Sequence, residues 1–147
     1  MTANIEYQLK EQGVYVSTTV GMSMWPMLRN RRDRIVVLPV GEEKLKKHDL
    51  PLYRRPDGKY ILHRILDVRE DHYVIRGDNT YQREYVPHEW VIGYVSEFYR
   101  KGKHVSSNSR AYHFYIVAWR LIYPARWCFH LAMRVLRKLR RVIGGTK

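Results

Sequence analysis

Between Val14 and Tyr99 the chain is cut into short β-branched and aromatic runs, with turn residues between them. The runs are Val14–Val20, Arg34–Val40, Leu50–Arg55, Lys59–Leu66, His72–Arg76 and Trp90–Tyr99. The breaks include "RPDGK", "REDH" and "RGDNT". Such runs suit half-buried strands, and Gly, Pro, Asp and Asn supply the turns between them. No body segment longer than a turn or two shows helical periodicity, and there is no internal repeat. The pattern predicts a small antiparallel β-domain with one short helical turn after Ser23.

The remainder of the chain reads differently. From Arg110 to Lys147 there are nine Lys or Arg and no Asp or Glu, so this stretch carries +9 of the net +13. At about 100° per residue, Val117, Leu121, Ala125, Cys128, Ala132, Val135, Leu136, Leu139 and Ile143 fall in one arc. Arg120, Arg126, Arg134, Arg137, Lys138, Arg140 and Arg141 fall in the opposite one. The expectation is a basic amphipathic helix over residues 111–143, kinked at Pro124. The expected division is a body of residues 1–109 and a tail of 110–147, joined by the loop-like "RKGKHVSSNSR". A helix with one basic face, one apolar face and flanking Tyr and Trp suits an anionic membrane surface first. Packing on the body or self-association ranks second, and nucleic acid last. Nothing in the sequence sets the oligomeric state.

Other classes are excluded early. One cysteine, Cys128, rules out an internal disulfide. The Cys and His spacings fit no zinc pattern, so neither metal nor cofactor is expected. The start, "MTANIEYQLKEQ", reads as neither a signal peptide nor an anchor. No stretch offers eighteen uncharged apolar residues, which disfavours a spanning helix.

The feature that needs a chemical explanation is "VGMSMWPML", Val20–Leu28, a serine inside an apolar run. Gly21 permits a tight turn, and Pro26 suits the first turn of a helix. Ser23 then stands where a strand ends and free backbone N–H groups can meet an oxyanion. A nucleophilic serine needs a base. His63, between Ile61 and Ile65 on one strand face, would be kept neutral by apolar neighbours. Asp78 in "RGDN" could orient it. Lys59 shares the His63 face but lies about 13 Å away on an ideal strand. Met24 reads as core, and Trp25 as either core or the wall of a substrate groove. Read alone, His63 is more often a core histidine and Asp78 a turn residue.

These segments, in their order, resemble the type I signal peptidases and the LexA-like self-cleaving serine peptidases. "GMSMWPML" resembles the G-x-S-M-x-P box, and "RRDRIVVLP" the strand after it. "LKKHDLPLYRRPDGKYILHRIL" resembles the strand, turn and base-bearing strand. "YVIRGDNTYQREYVP" and "VIGYV" resemble the G-D-N box and closing strand. The likeness covers about residues 14–98. It implies the signal peptidase/LexA-like β-fold with Ser23 as nucleophile and His63 at the base position. Histidine there is the archaeal and endoplasmic-reticulum type. Asp78 matches the G-D-N aspartate, treated in that type as the third catalytic group, and Glu84 stands near a further acidic position. Gly21 replaces a serine hydroxyl, so the oxyanion would rest on backbone N–H groups, chiefly that of Ser23, within the turn Gly21–Ser23–Met24. Arg32 and His48 replace glycines of two G-D pairs, and Met27 replaces a threonine. The implied activity is a serine endopeptidase cutting a peptide or preprotein, the tail serving as anchor. The absence of an export signal points to the cytoplasmic face of a bacterial inner membrane. A catalytically inactive peptide-binding relative, or a basic adaptor acting through its tail, is the alternative.

Overall fold

The computed structural model describes residues 5–144, with side chains as far as Arg141. Contacts divide the chain into two units, one ending at His113 and the other beginning at Phe114. The first is mainly antiparallel β, and the second is helical.

In the first unit the strands are β1 (Tyr15–Thr18), β2 (Arg34–Pro39), β3 (Pro51–Arg54), β4 (Tyr60–Leu62), β5 (Arg64–Val68), β6 (His72–Arg76), β7 (Glu84–Pro87), β8 (Val91–Arg100) and β9 (Lys103–Ser106). One sheet runs β1-β2-β8-β3-β4, with β9 also paired to β8. The long β8 has β2 along one edge. Its other edge is shared by β3 near the start and β9 at the end. A second sheet runs β5-β6-β7. The alternation in "RIVVLP" buries Ile35 and Val37, as a strand with one core face requires. Tyr53, Ile65, Tyr73, Ile75 and Val86 form a core cluster with Leu45, and Ile61 packs against it.

The segment expected as one strand, Lys59–Leu66, is two. The chain leaves the first sheet after Leu62 and enters the second at Arg64, so His63 occupies the corner. β1 and β4 are the outer strands of the first sheet, yet residues of both line one cleft. The sheet is therefore strongly curled, its two free edges facing the same space.

Three elements depart from the sequence reading. A helix α1 (Ile5–Gln12) precedes β1. It buries only Leu9, too sparse a stripe to register as helical periodicity. The stretch "RKGKH" is a β-hairpin turn rather than a loop, with Lys101 and Gly102 at φ 50° and 77° between the paired Arg100 and Lys103. The tail is two helices, α2 (Arg110–Leu121) and α3 (Tyr123–Gly144), separated at Ile122. Pro124 has no N–H to donate to the Arg120 carbonyl, which interrupts the helical ladder, and it suits the first turn of the new helix. No described helix is long and apolar enough to cross a membrane.

The start of α2 belongs to the body. Ser109 caps it, its Oγ accepting from Tyr112 N–H at 3.3 Å. Tyr112 is buried, its ring edge-on to Phe98 and its hydroxyl accepting from Arg64 Nη1 at 2.6 Å. The joint thus falls inside α2 rather than ahead of it. Tyr112→Phe, which removes only that hydroxyl, should cost about 1.5–3 kcal/mol in urea unfolding. Tyr112→Ala, which also empties the ring's space, should cost about 3–5 kcal/mol.

Candidate active site

The loop from Thr19 to Asp33 carries Ser23, and Asp33 closes its base. The Asp33 side chain is fully buried. It accepts from Arg29 N–H at 2.9 Å, from Lys101 N–H at 3.3 Å, and from Arg32 Nε and Nη2 at 2.7 and 2.8 Å. Its carbonyl accepts from Thr19 N–H at 2.9 Å. Burial alone would push the Asp33 carboxyl up. The Arg32 bonds and the two backbone donors outweigh it and hold the group below the usual carboxylate range. Inside the loop, Leu28 N–H donates to Met24 O at 2.9 Å, the short helical turn expected after Ser23. Met24, Met27 and Leu28 are buried beneath it. Gly21 sits at φ 99°, a left-handed conformation open to glycine. Its N–H is taken by Asn30 Oδ1 at 2.9 Å, so it is not available to an oxyanion. The Ser23 N–H has no acceptor among the described residues.

His63 is 6% exposed at its corner between the sheets. Its Nδ1 lies 3.1 Å from Glu84 Oε1 and 3.4 Å from the Tyr53 hydroxyl. The other carboxylate oxygen, Glu84 Oε2, accepts from Tyr53 OH at 2.9 Å and from the Arg55 guanidinium. Burial, with Glu84 beside it, holds the Tyr53 phenol far above its ordinary pKa, so it remains a donor. Desolvation likewise lowers the His63 pKa below 6.5, more than Glu84 raises it. A neutral ring whose Nδ1–H faces a carboxylate keeps its lone pair on Nε2.

The Nε2 edge of the ring and the serine turn both lie against Gly77. A Cβ built on Gly77 would stand 2.7 Å from Ser23 O and 3.0 Å from His63 Nε2. One missing side chain thus lets the serine turn and the imidazole edge close on the same point. The next residues fasten it: Asn79 N–H donates to Ser23 O at 2.7 Å, and Asn79 Nδ2 to Met22 O at 3.2 Å.

Asp78 has a different partner from the one the sequence suggests. Both of its carboxylate oxygens accept from Arg64, from Nε and Nη2, each at 2.8 Å. Both side chains are about 4% exposed. Glu84, not Asp78, occupies the Nδ1 side of the imidazole; the buried Arg64 guanidinium demands a bidentate carboxylate, and Asp78 supplies it. Lys59 is mostly exposed and pairs with Asp57 at 3.1 Å, out on the β3–β4 turn. Trp25 is 37% exposed, while Met24 is core. Tyr53, Arg55, Arg64 and Gly77 were not singled out by the sequence. Only the Gly of "RGDN" left a trace there, as a turn residue. Among the described residues, no three His, Cys, Asp or Glu side chains converge as a metal site.

Ser23 also lines the cleft under the curled sheet, a space of about 300 Å³. Its walls are largely apolar, including Ile35, Leu52, Ile61 and Leu62, with Ser17 and Thr18 from β1.

The two carboxylates should separate on mutation. Asp78→Asn leaves Arg64 buried with a weakened partner and should cost about 3–5 kcal/mol in urea unfolding. Glu84→Gln alters a partly exposed pair and should cost about 1 kcal/mol or less. Gly77→Ala must displace either the Ser23 carbonyl or the imidazole and should cost about 1–3 kcal/mol. No protein-family model matches the chain, and no curated protein does.

Proposed function

We propose that this protein is a serine endopeptidase of the signal-peptidase type, cleaving a peptide or preprotein with Ser23 as nucleophile and His63 as general base. The observation that carries the reading is the convergence at Gly77, with Ser23 O and His63 Nε2 both within 3.0 Å of one Cβ position and Glu84 on the opposite ring nitrogen. Nucleophile, base and orienting carboxylate in series is the arrangement acyl transfer requires.

An extended peptide enters the cleft and pairs with the free edge of β1 or β4, its apolar side chains meeting the apolar walls. His63 Nε2 takes the Ser23 proton as Oγ attacks the scissile carbonyl carbon. The oxyanion accepts from the Ser23 N–H. The C–N bond breaks as His63 returns the proton to the leaving amine. Water then enters, gives a proton to His63 and attacks the acyl ester, and Ser23 is restored. Glu84 stays ionised throughout and balances the transient imidazolium. Its own pKa supports this. Burial raises it, but the hydrogen bonds from Arg55 and Tyr53 and the charge of Arg55 bring it below the ordinary value. Asp78 acts one step away, holding Arg64 and the loop that carries Gly77.

A fluorophosphonate probe tests the reading. Wild type should be labelled on Ser23, and Ser23→Ala should not. Glu84→Gln should lower the labelling rate about 10²–10⁴-fold with little loss of stability. The base acts only when neutral, and burial places its pKa below 6.5. The rate should therefore fall to half its plateau only at a pH below 6.5. Labelling that survives in Ser23→Ala, or wild type left unlabelled, would refute the proposal.

A further inference from the structure

Among the described residues of the helical unit, one apolar face has no partner. On α3, Cys128, Phe129, Leu131, Ala132, Val135, Leu136 and Leu139 fall in one arc of about 160°. They remain open, from Leu131 at 45% exposed to Phe129 at 69%. Arg126, Arg134, Arg137, Lys138, Arg140 and Arg141 occupy the other side. A row of open apolar side chains along about three turns is far more apolar surface than a solvated helix normally presents.

We propose that α3, with the end of α2, lies flat on an anionic lipid surface, its apolar arc among the acyl chains and its arginines among the headgroups. This goes beyond the peptidase proposal and stands without it. Charge complementarity selects the partner. From Arg110 onward there are nine cations and no Asp or Glu, so no group within this stretch neutralises the basic face. The same stretch of a second copy would bring another nine cations against the first and no Asp or Glu. A nucleic acid would satisfy the arginines and leave the leucines in water. An anionic bilayer meets both faces at once. The aromatic residues fit the same plane. Tyr115 stacks on Trp119, and the Arg126 guanidinium lies 3.7 Å from the Trp119 ring centre, so amphipathic rings sit beside the cations. At about 33 Å, α3 has the length to lie along the surface, and its charges keep it from crossing.

Co-sedimentation of the full chain with vesicles tests this. The protein should pellet with phosphatidylglycerol vesicles and stay in solution with phosphatidylcholine alone. Going from 0.1 M to 1 M salt shortens the screening length from about 10 to about 3 Å and should weaken binding roughly tenfold or more. The Phe129→Glu/Leu136→Glu double variant changes only exposed positions, so its circular dichroism spectrum should be that of wild type while vesicle binding is lost. Arg137→Gln/Lys138→Gln/Arg141→Gln should lose the preference for the anionic lipid. Undiminished binding by the double Glu variant overturns the proposal, because the apolar arc would then be idle. Equal binding to both vesicle types overturns it too. So does a chain that ignores vesicles yet shifts duplex DNA, or that hides the same face in a dimer.

Discussion

The first unit depends on the buried pair of Arg64 and Asp78. Arg64 is the residue next to His63, and Asp78 is the residue next to Gly77. Their bidentate bond therefore sets the distance between the two backbones that bracket the imidazole edge. The same guanidinium donates to Tyr112 OH, to His48 O and to Met27 Sδ, reaching α2, the segment before β3 and the turn that carries Ser23. Burying two charges is costly, and excellent geometry with every donor engaged offsets that cost. An apolar pair could pack as stably, but it would not impose one register on four separate segments. The ion pair is better understood as a device for position than for stability.

With Asp78 engaged, another carboxylate is left to face the imidazole. Glu84 stands at the start of β7 and Tyr53 on β3, in different sheets, and they meet beside the His63 corner. Arg55 shares the Glu84 charge from the more open side. This arrangement balances two opposing effects on the ring. Burial makes the imidazolium costly, so the resting ring is neutral. The adjacent carboxylate makes the imidazolium tolerable when a proton arrives. A base must satisfy both conditions, and neither Glu84 nor burial alone would do so.

The serine turn is governed by a similar division. Asp33 anchors the ends of its loop and ties them to the β8–β9 turn through Lys101 N–H. Met24, Met27 and Leu28 anchor its underside in the core. Asn79 anchors its exposed flank. Three independent restraints leave Ser23 at the cleft wall with its N–H directed away from any protein acceptor among the described residues. The apolar residues that make "VGMSMWPML" look odd are thus the foundation of the turn, and Ser23 is its polar side chain on the cleft wall.

Sequence alone determined the mainly β body, the basic amphipathic tail, the helical turn after Ser23 and the burial of His63. Each follows from a local period or a local composition, which a linear reading can count. It missed α1, because one buried leucine makes no period, and it missed the β8–β9 turn, because Lys-Gly reads as loop. The alternation through "KYILHRIL" predicted one strand and could not reveal that the chain changes sheets at His63. It also could not assign the carboxylates. Asp78 and Glu84 are six positions apart in one polar stretch, and either could have faced the ring. That choice depended on Arg64, whose buried guanidinium captured Asp78, and on Tyr53 and Arg55, which arrive from a strand more than twenty residues earlier. Partner selection among like groups is decided by distance and burial, and those exist only once the sheets have closed.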